Sequence, residues 1–253
     1  MSLPSAKSLP SAIPSEKLIV ALDRPDVGQA RSLIETLGDS VGFYKIGMEL
    51  AYGGGLSLID ELSRAGKQVF IDLKLHDIGH TVEKATAQIA RLGARFLTVH
   101  AFPQTLAAAR RGAEGSNLQV LGVTVMTSYD DADLVAAGYR LTLRELVALR
   151  ATQAKQAGIA GLILSPEELA STRAIVGEDM LLVTPGIRPA GAALGDQKRV
   201  ATPTEAFARG ADFIVVGRPI IAAENPREAA QAIQREIAAI QREIASACAR
   251  PNA

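Results

Sequence analysis

The stretch "VFIDLKLHDIGHT" (residues 69–81) opens as an apolar run and then places Asp72, Lys74 and Asp77 within six positions, with His76 among them. On a strand, residues two apart face the same side, so Asp72 and Lys74 project together. An acid–base–acid array of this kind keeps the lysine protonated, because opposite charges nearby favour its ammonium form. It also leaves a carboxylate able to repel a substrate anion. Lys45, in the preceding apolar run "VGFYKIG", extends the row of charge. The plainer alternative is an ion-pair cluster that only closes one end of the fold. His76 reads as an orienting or surface group and not as a base.

A second group of residues suits an anion. "VTPGIRP" contains Arg188, and "VVGRP" contains Gly217 and Arg218. Glycine allows close approach of backbone to a ligand, and an arginine offers a bidentate fork to phosphate. Taken alone, Arg218 could equally form a surface salt bridge worth about 0–1 kcal/mol. Between Arg188 and Arg199 runs "PAGAALGDQK", Gly/Ala-rich and longer than a minimal βα turn. It suggests a mobile lid with Gln197 as its polar reach; an inert loop is the alternative. Nothing in the chain resembles a P-loop, a GxGxxG fingerprint or a nucleophile elbow.

These residues need a scaffold, and the chain alternates between two textures that supply one. Eight short apolar runs, at 17–23, 41–47, 68–74, 95–101, 118–127, 161–165, 180–187 and 212–218, are separated by Ala/Leu/Glu/Arg-rich stretches with helical spacing. Gly38, Gly66, Gly93, Gly158 and Gly210 stand where helices would end. Strands this continuously apolar are buried on both faces, which implies parallel pairing with helices outside. The expected fold is an α/β single domain over 17–247, a (β/α)8 TIM barrel, with a doubly wound open sheet as the alternative. In a barrel the reacting groups gather at the C-terminal strand ends, which here supply Asp23, Lys45, Asp72 with Lys74, His100, Thr127, Ser165, Arg188 and Arg218. The last segment, with Ile233, Ile237, Ile240 and Ile244 at helical spacing, reads as the eighth barrel helix and not as a coiled coil.

Composition bounds the partners. The 253 residues carry 27 basic and 27 acidic side chains, with 48% apolar residues. A neutral total gives no long-range field toward nucleic acid or an anionic membrane, so an anion site must be local. One cysteine, Cys248, excludes a disulfide framework or a cysteine-based zinc site within the chain. Three histidines (His76, His80 and His100) are too scattered to imply a metal. No apolar run approaches the roughly 18–20 residues of a membrane span, and "MSLPSAKSLPSAIPSEK" lacks a secretory h-region. Residues 1–16 are expected to be a disordered tail and 248–253 a short C-terminal tail, on a cytoplasmic protein.

Jointly, "FIDLKLHDI", "YKIGMEL", "VTVMTS", "LVTPGIRP" followed by "GDQKRV", and "VVGRP" resemble the orotidine 5'-phosphate decarboxylases of bacterial type, over residues 17–235. The resemblance implies a barrel working as a homodimer with its sites at the interface. It implies conversion of orotidine 5'-phosphate to UMP and CO2 in de novo pyrimidine synthesis, with neither metal nor organic cofactor. By the same resemblance, Lys74 protonates C6, Asp72 lies beside the scissile carboxylate, and Lys45 holds the array and a ribose hydroxyl. Asp77 serves the partner's site, with Ile78 and Thr81 beside it. Asp23 is implied as a ribose ligand, and Thr127 or its neighbour Ser128 as a pyrimidine contact. Arg188, Gln197, Gly217 and Arg218 correspond to phosphate and lid contacts. The chain departs from the family at Ile78-Gly79-His80-Thr81, where Ile-Pro-Asn-Thr is common. The Mg2+-dependent 3-keto-L-gulonate 6-phosphate decarboxylases share the Asp-x-Lys-x-x-Asp pattern but carry an acid in place of Lys45. A non-catalytic phosphate-binding barrel would need only the arginine half of this set.

Overall fold

The computed structural model describes residues 16–189 and 199–248. Gln197, most of the expected lid and nearly all of both expected tails lie outside the described residues. Eight strands alternate with helices: β1 (Leu18–Ala21), β2 (Phe43–Gly47), β3 (Gln68–Leu75), β4 (Phe96–His100), β5 (Gln119–Val123), β6 (Gly161–Ile163), β7 (Leu181–Thr184) and β8 (Phe213–Val216). All pair in parallel with their sequence neighbours, and β8 returns to β1 through Leu18↔Ile214, Ile19↔Val215 and Val20↔Val216. That last pairing closes the barrel and excludes the open sheet.

Among the described residues eight helices form the outer ring: α1 (Val27–Leu37), α3 (Leu58–Arg64), α4 (Gly79–Arg91), α5 (Pro103–Ala113), α7 (Leu143–Ala157), α8 (Leu169–Val176), α9 (Pro203–Ala208) and α11 (Pro226–Cys248). Three short helices, α2 (Met48–Tyr52), α6 (Asp131–Ala136) and α10 (Arg218–Ile221), sit in the loops after β2, β5 and β8. These additions therefore lie on the C-terminal rim, where such barrels build their sites. The five glycines expected at helix ends all have positive φ, from 53° at Gly38 to 96° at Gly210. Four capping boxes start elements, with Asp130–Asp133, Thr142–Glu145, Ser165–Glu168 and Thr202–Glu205 each satisfying two otherwise orphaned amides. In α11, Ile233, Ile237 and Ile240 are buried, while Ile244, the last of the expected stripe, is partly exposed.

Alternation along each strand sorts the core into two layers. Outward residues such as Val20, Tyr44, Ile71 and Leu97 join the helices. Inward residues fill the barrel with Ile19, Phe43, Phe70, Phe96, Leu121, Val183 and Phe213 among others. Phe43, Phe96 and Phe213 meet edge to face or tilted, with centroids 5.2–6.0 Å apart. The Arg95 guanidinium lies 5.1–5.4 Å from all three rings, a cation over aromatic faces that plugs the N-terminal end.

The helix pair α4 and α5 packs closely because Gly112 has no side chain. A Cβ there would come within 2.3 Å of the Glu83 carbonyl oxygen. This matters for function, since α4 begins directly after the Asp77 loop.

Candidate active site

Above the phenylalanine layer the inward positions of β2, β3 and β4 are Lys45, Asp72 and Thr98. Lys45 Nζ bonds Asp23 Oδ1 at 3.1 Å and lies 3.6 Å from Asp72 Oδ2. Asp72 Oδ1 in turn accepts from Lys74 Nζ and from Thr98 Oγ1, each at 2.8 Å. The result is an alternating chain, Asp23–Lys45–Asp72–Lys74, across the first three strands. Burial of Asp72 pushes its carboxyl up, but Lys45, Lys74 and the hydrogen bonds from Lys74 and Thr98 outweigh it and hold the group below the usual carboxylate range. Asp72 is therefore a charge at any ordinary pH.

Lys45 has this position because Gly47 leaves room. A Cβ on Gly47 would sit 2.9 Å from Lys45 Nζ, which is pinned between two carboxylates. Gly217, past β8, approaches the same region from the other side: its Cβ would be 3.4 Å from Asp23 Oδ2.

Asp72 and Lys74 do share the barrel mouth, as their spacing predicts, but not through regular pleating. Ile71 pairs with Leu97 and Leu75 with Val99, so four steps on β3 oppose two on β4. Inside that bulge Lys74 has φ 49°, the one positive φ on a non-glycine among the described residues. A left-handed conformation costs a side-chain-bearing residue about 1–2 kcal/mol. The bulge and that strain re-aim the lysine onto Asp72. A further bond, from Lys74 N to Thr98 Oγ1 at 3.0 Å, fixes the turn.

Asp77 does not join the chain. It is exposed, and its Oδ1 accepts from the adjacent Ile78 amide at 2.6 Å. Ile78 is 73% exposed, and Thr81, in the first turn of α4, is exposed too. Asp77, Ile78 and Thr81 are thus open to solvent, as is Tyr52 on α2.

His76 stacks on Phe102 with centroids 4.4 Å apart, its Nδ1 lying 3.0 Å from Thr105 Oγ1. Arg150, buried on α7, covers the same Phe102 ring at 3.8 Å and donates to the Ala101 carbonyl at 2.9 Å. His100 meets His76 edge to face at 5.8 Å. Burial lowers the His100 pKa, and His76, Lys74 and Arg150 lower it further, so its imidazole is neutral at pH 7. Arg150 and Phe102 escaped sequence reasoning because an arginine on a helix reads as a solvated charge.

The opposite side of the mouth is built differently. Strand β5 ends at Val123, four residues short of the expected Thr127, which lies in the following loop; Thr124 already turns its side chain to the Ile163 carbonyl. The Met126 and Thr127 carbonyls accept from Arg199 at 3.3 and 3.4 Å. Arg199 also pairs with Glu168, and both are buried. Arg188 is buried with Nη1 on the Ile187 carbonyl at 2.9 Å, and its amide bonds Ala201, so the two ends of the 188–201 segment are stapled together. Arg218 is exposed at the start of α10, next to Gly217. Among the described residues no group of three or more His, Cys, Asp or Glu side chains converges in a way that would hold an ion, and no helix is long and apolar enough to cross a membrane.

A model of the "Orotidine 5'-phosphate decarboxylase / HUMPS family" matches residues 16–233. The chain belongs to that family. Curated family members named orotidine 5'-phosphate decarboxylase include one from Bradyrhizobium sp. strain BTAi1, 65% identical over 213 residues, which is 84% of this chain and 88% of the relative. Another, from Rhodopseudomonas palustris strain BisB5, is 60% identical over 84% of this chain and 91% of its own. The crystal structure of the enzyme of that name from Lactobacillus acidophilus superposes with TM-score 0.77 at 39% identity, covering 87% of this chain and 98% of the other. An uncharacterized conserved protein from Geobacillus kaustophilus superposes with TM-score 0.76 at 33% identity, over 87% and 99% of the two chains. Family membership covers both halves of the mouth, from Asp23 to Arg218.

Proposed function

We propose that this carboxy-lyase converts orotidine 5'-phosphate to UMP and CO2 in de novo pyrimidine synthesis, as a cytoplasmic homodimer using neither metal nor organic cofactor. What supports it is the Asp23–Lys45–Asp72–Lys74 chain at the C-terminal mouth, partly buried at Lys45, Asp72 and Lys74 and open to solvent at Asp23, in a chain 65% identical to a decarboxylase of that name.

Loss of CO2 from C6 of the pyrimidine breaks the C6–carboxyl bond heterolytically and leaves its electron pair on C6. Without a cofactor to delocalise that pair, the site must present a fixed positive charge where it develops. Preorganised electrostatics of this type is commonly the largest catalytic effect. At an effective dielectric constant near 20, two unit charges about 4 Å apart interact by about 4 kcal/mol. The Lys74 ammonium supplies this field and then the proton that completes UMP; its amine regains a proton from solvent. Asp72 orients Lys74 and lies beside the departing carboxylate. Lys45 and Asp23 meet the ribose hydroxyls, and Thr127 contacts the pyrimidine. Gly217, Arg218, Arg188 and Gln197 take the phosphate. Asp77, Ile78 and Thr81 complete the partner's site, a role supported by their exposure on one rim. Grip on the distant phosphate then contributes binding energy that is used for orientation at C6.

Lys74→Ala tests the proposal. The variant is expected to bind UMP within a few-fold of the unaltered chain while decarboxylation falls by about 10³-fold or more. Near-normal turnover in that variant rules Lys74 out.

A further inference from the structure

We propose that Thr98 is a positioning residue for the reaction, its buried hydroxyl setting both the rotamer of Asp72 and the left-handed backbone of Lys74. The inference rests on the decarboxylase reading above for its kinetic consequence, but not for its geometry. Thr98 lies on the inward column of β4 between Phe96 and His100 and is fully buried. Its Oγ1 has two partners, Asp72 Oδ1 at 2.8 Å and Lys74 N at 3.0 Å.

Chemistry fixes the direction of both bonds. A backbone N–H only donates and an ionised carboxylate only accepts, so the hydroxyl accepts from Lys74 and gives its single proton to Asp72. The same Asp72 oxygen also takes the Lys74 ammonium at 2.8 Å, and the other oxygen faces Lys45 at 3.6 Å. Thr98 thus decides which oxygen each lysine meets. It also occupies the one position of β4, between Leu97 and Val99, that faces the bulge of β3. A strained φ persists where its surroundings over-determine it, and the Thr98 bond is part of that determination. Valine has the shape of threonine but neither bonding capacity, so it separates the hydroxyl from the packing.

The experiment compares the unaltered full-length protein with Thr98→Val and Thr98→Ser. Steady-state decarboxylation of orotidine 5'-phosphate by Thr98→Val is expected to show kcat lowered about 100-fold with KM changed less than about 3-fold, because misplacing the reacting groups leaves the phosphate grip intact. Thr98→Ser should return kcat to within about 5-fold of the unaltered protein. A packing role predicts otherwise: equal damage in both variants, or unaltered kcat in Thr98→Val, overturns the proposal. Crystal structures of the variants give a readout independent of substrate. In Thr98→Val the Lys74 backbone should leave positive φ, or its Nζ–Asp72 bond should open, while Thr98→Ser keeps both; an unchanged Lys74 in Thr98→Val overturns the proposal. Should Thr98→Val not fold, Thr98→Ala takes the same readouts. If the unaltered protein does not turn over orotidine 5'-phosphate, the decarboxylase reading fails, and the structures alone decide the role of Thr98.

Discussion

Asp72 is a carboxylate in a place that should protonate it, held ionised by two lysines and a threonine hydroxyl. The contrast with His100, two residues past Thr98 on the same strand, shows how position decides charge. His100 is pushed to the neutral form by burial first, and by His76, Lys74 and Arg150 after it. Its pKa is lower folded than unfolded, so the unfolded chain binds more protons as pH falls below about 6.5. Stability present above that pH is lost as the pH falls through the depressed folded value. Urea unfolding of His100→Asn should therefore show a shallower decline from about pH 6.5 to 5 than the unaltered protein, and parallel declines would contradict the assignment. Arg218 makes the complementary prediction. Its side chain is exposed, so Arg218→Ala should cost no more than the about 0–1 kcal/mol of a surface contact while kcat/KM falls about 30- to 150-fold, the worth of about 2–3 kcal/mol of charge-assisted bonding. Unchanged kinetics would remove it from the phosphate site. At this scale the strand-borne charges Lys45, Asp72 and Lys74 were legible, because charge inside an apolar run has few other uses. Thr98 and Gly47 were not. Threonine is an ordinary strand former and glycine an ordinary strand end, so their value shows only when the Asp72 oxygens and the Lys45 ammonium have positions.

Among elements, β3 carries most of the chemistry because it is irregular. Two-residue spacing predicted the side shared by Asp72 and Lys74, but nothing in "DLKL" marks a left-handed lysine, since the usual sign is glycine or asparagine. Helix ends were read well from glycine, while most strand ends, those of β2 and β3 excepted, were overextended, most of all at β5, because apolar residues continue past Val123 into the loop. The buried Arg199–Glu168 pair, which ties the residues after β5 to those preceding α8 and α9, was invisible because its partners are 31 positions apart. Burial pushes the Glu168 carboxyl up more than Arg199 and the Ser165 amide pull it down. Arg199→Met should therefore cost about 2–3 kcal/mol, toward the low side for a broken buried pair, because Glu168 can neutralise itself by taking a proton. Adding Glu168→Gln, which removes the charge and keeps an acceptor for the Ser165 amide, should recover most of that loss in a denaturant titration. A double variant no more stable than Arg199→Met would show that the pair is not what the arginine serves.

For the whole molecule, eight apolar runs of the right count were enough to foresee the barrel, yet closure rests on β1 meeting β8, a pairing across nearly 200 positions that no local pattern encodes. The exposed Asp77, Ile78 and Thr81 are the part of the proposed site that stands outside the Asp23–Lys45–Asp72–Lys74 chain. If Asp77 acts in the partner's site, mixing Lys74→Ala with Asp77→Asn protomers creates dimers with one complete site. Redissociated and reassociated mixtures should regain about a quarter of the unaltered activity, since half the dimers are mixed and each has one good site of two; no recovery would place Asp77 in its own protomer's site. Whether this mouth decarboxylates orotidine 5'-phosphate is decided by following the loss of substrate absorbance with the purified protein, with and without EDTA. Rapid conversion to UMP, equal in both, is the expected result. Activity abolished by EDTA, or no conversion in either condition, would contradict it.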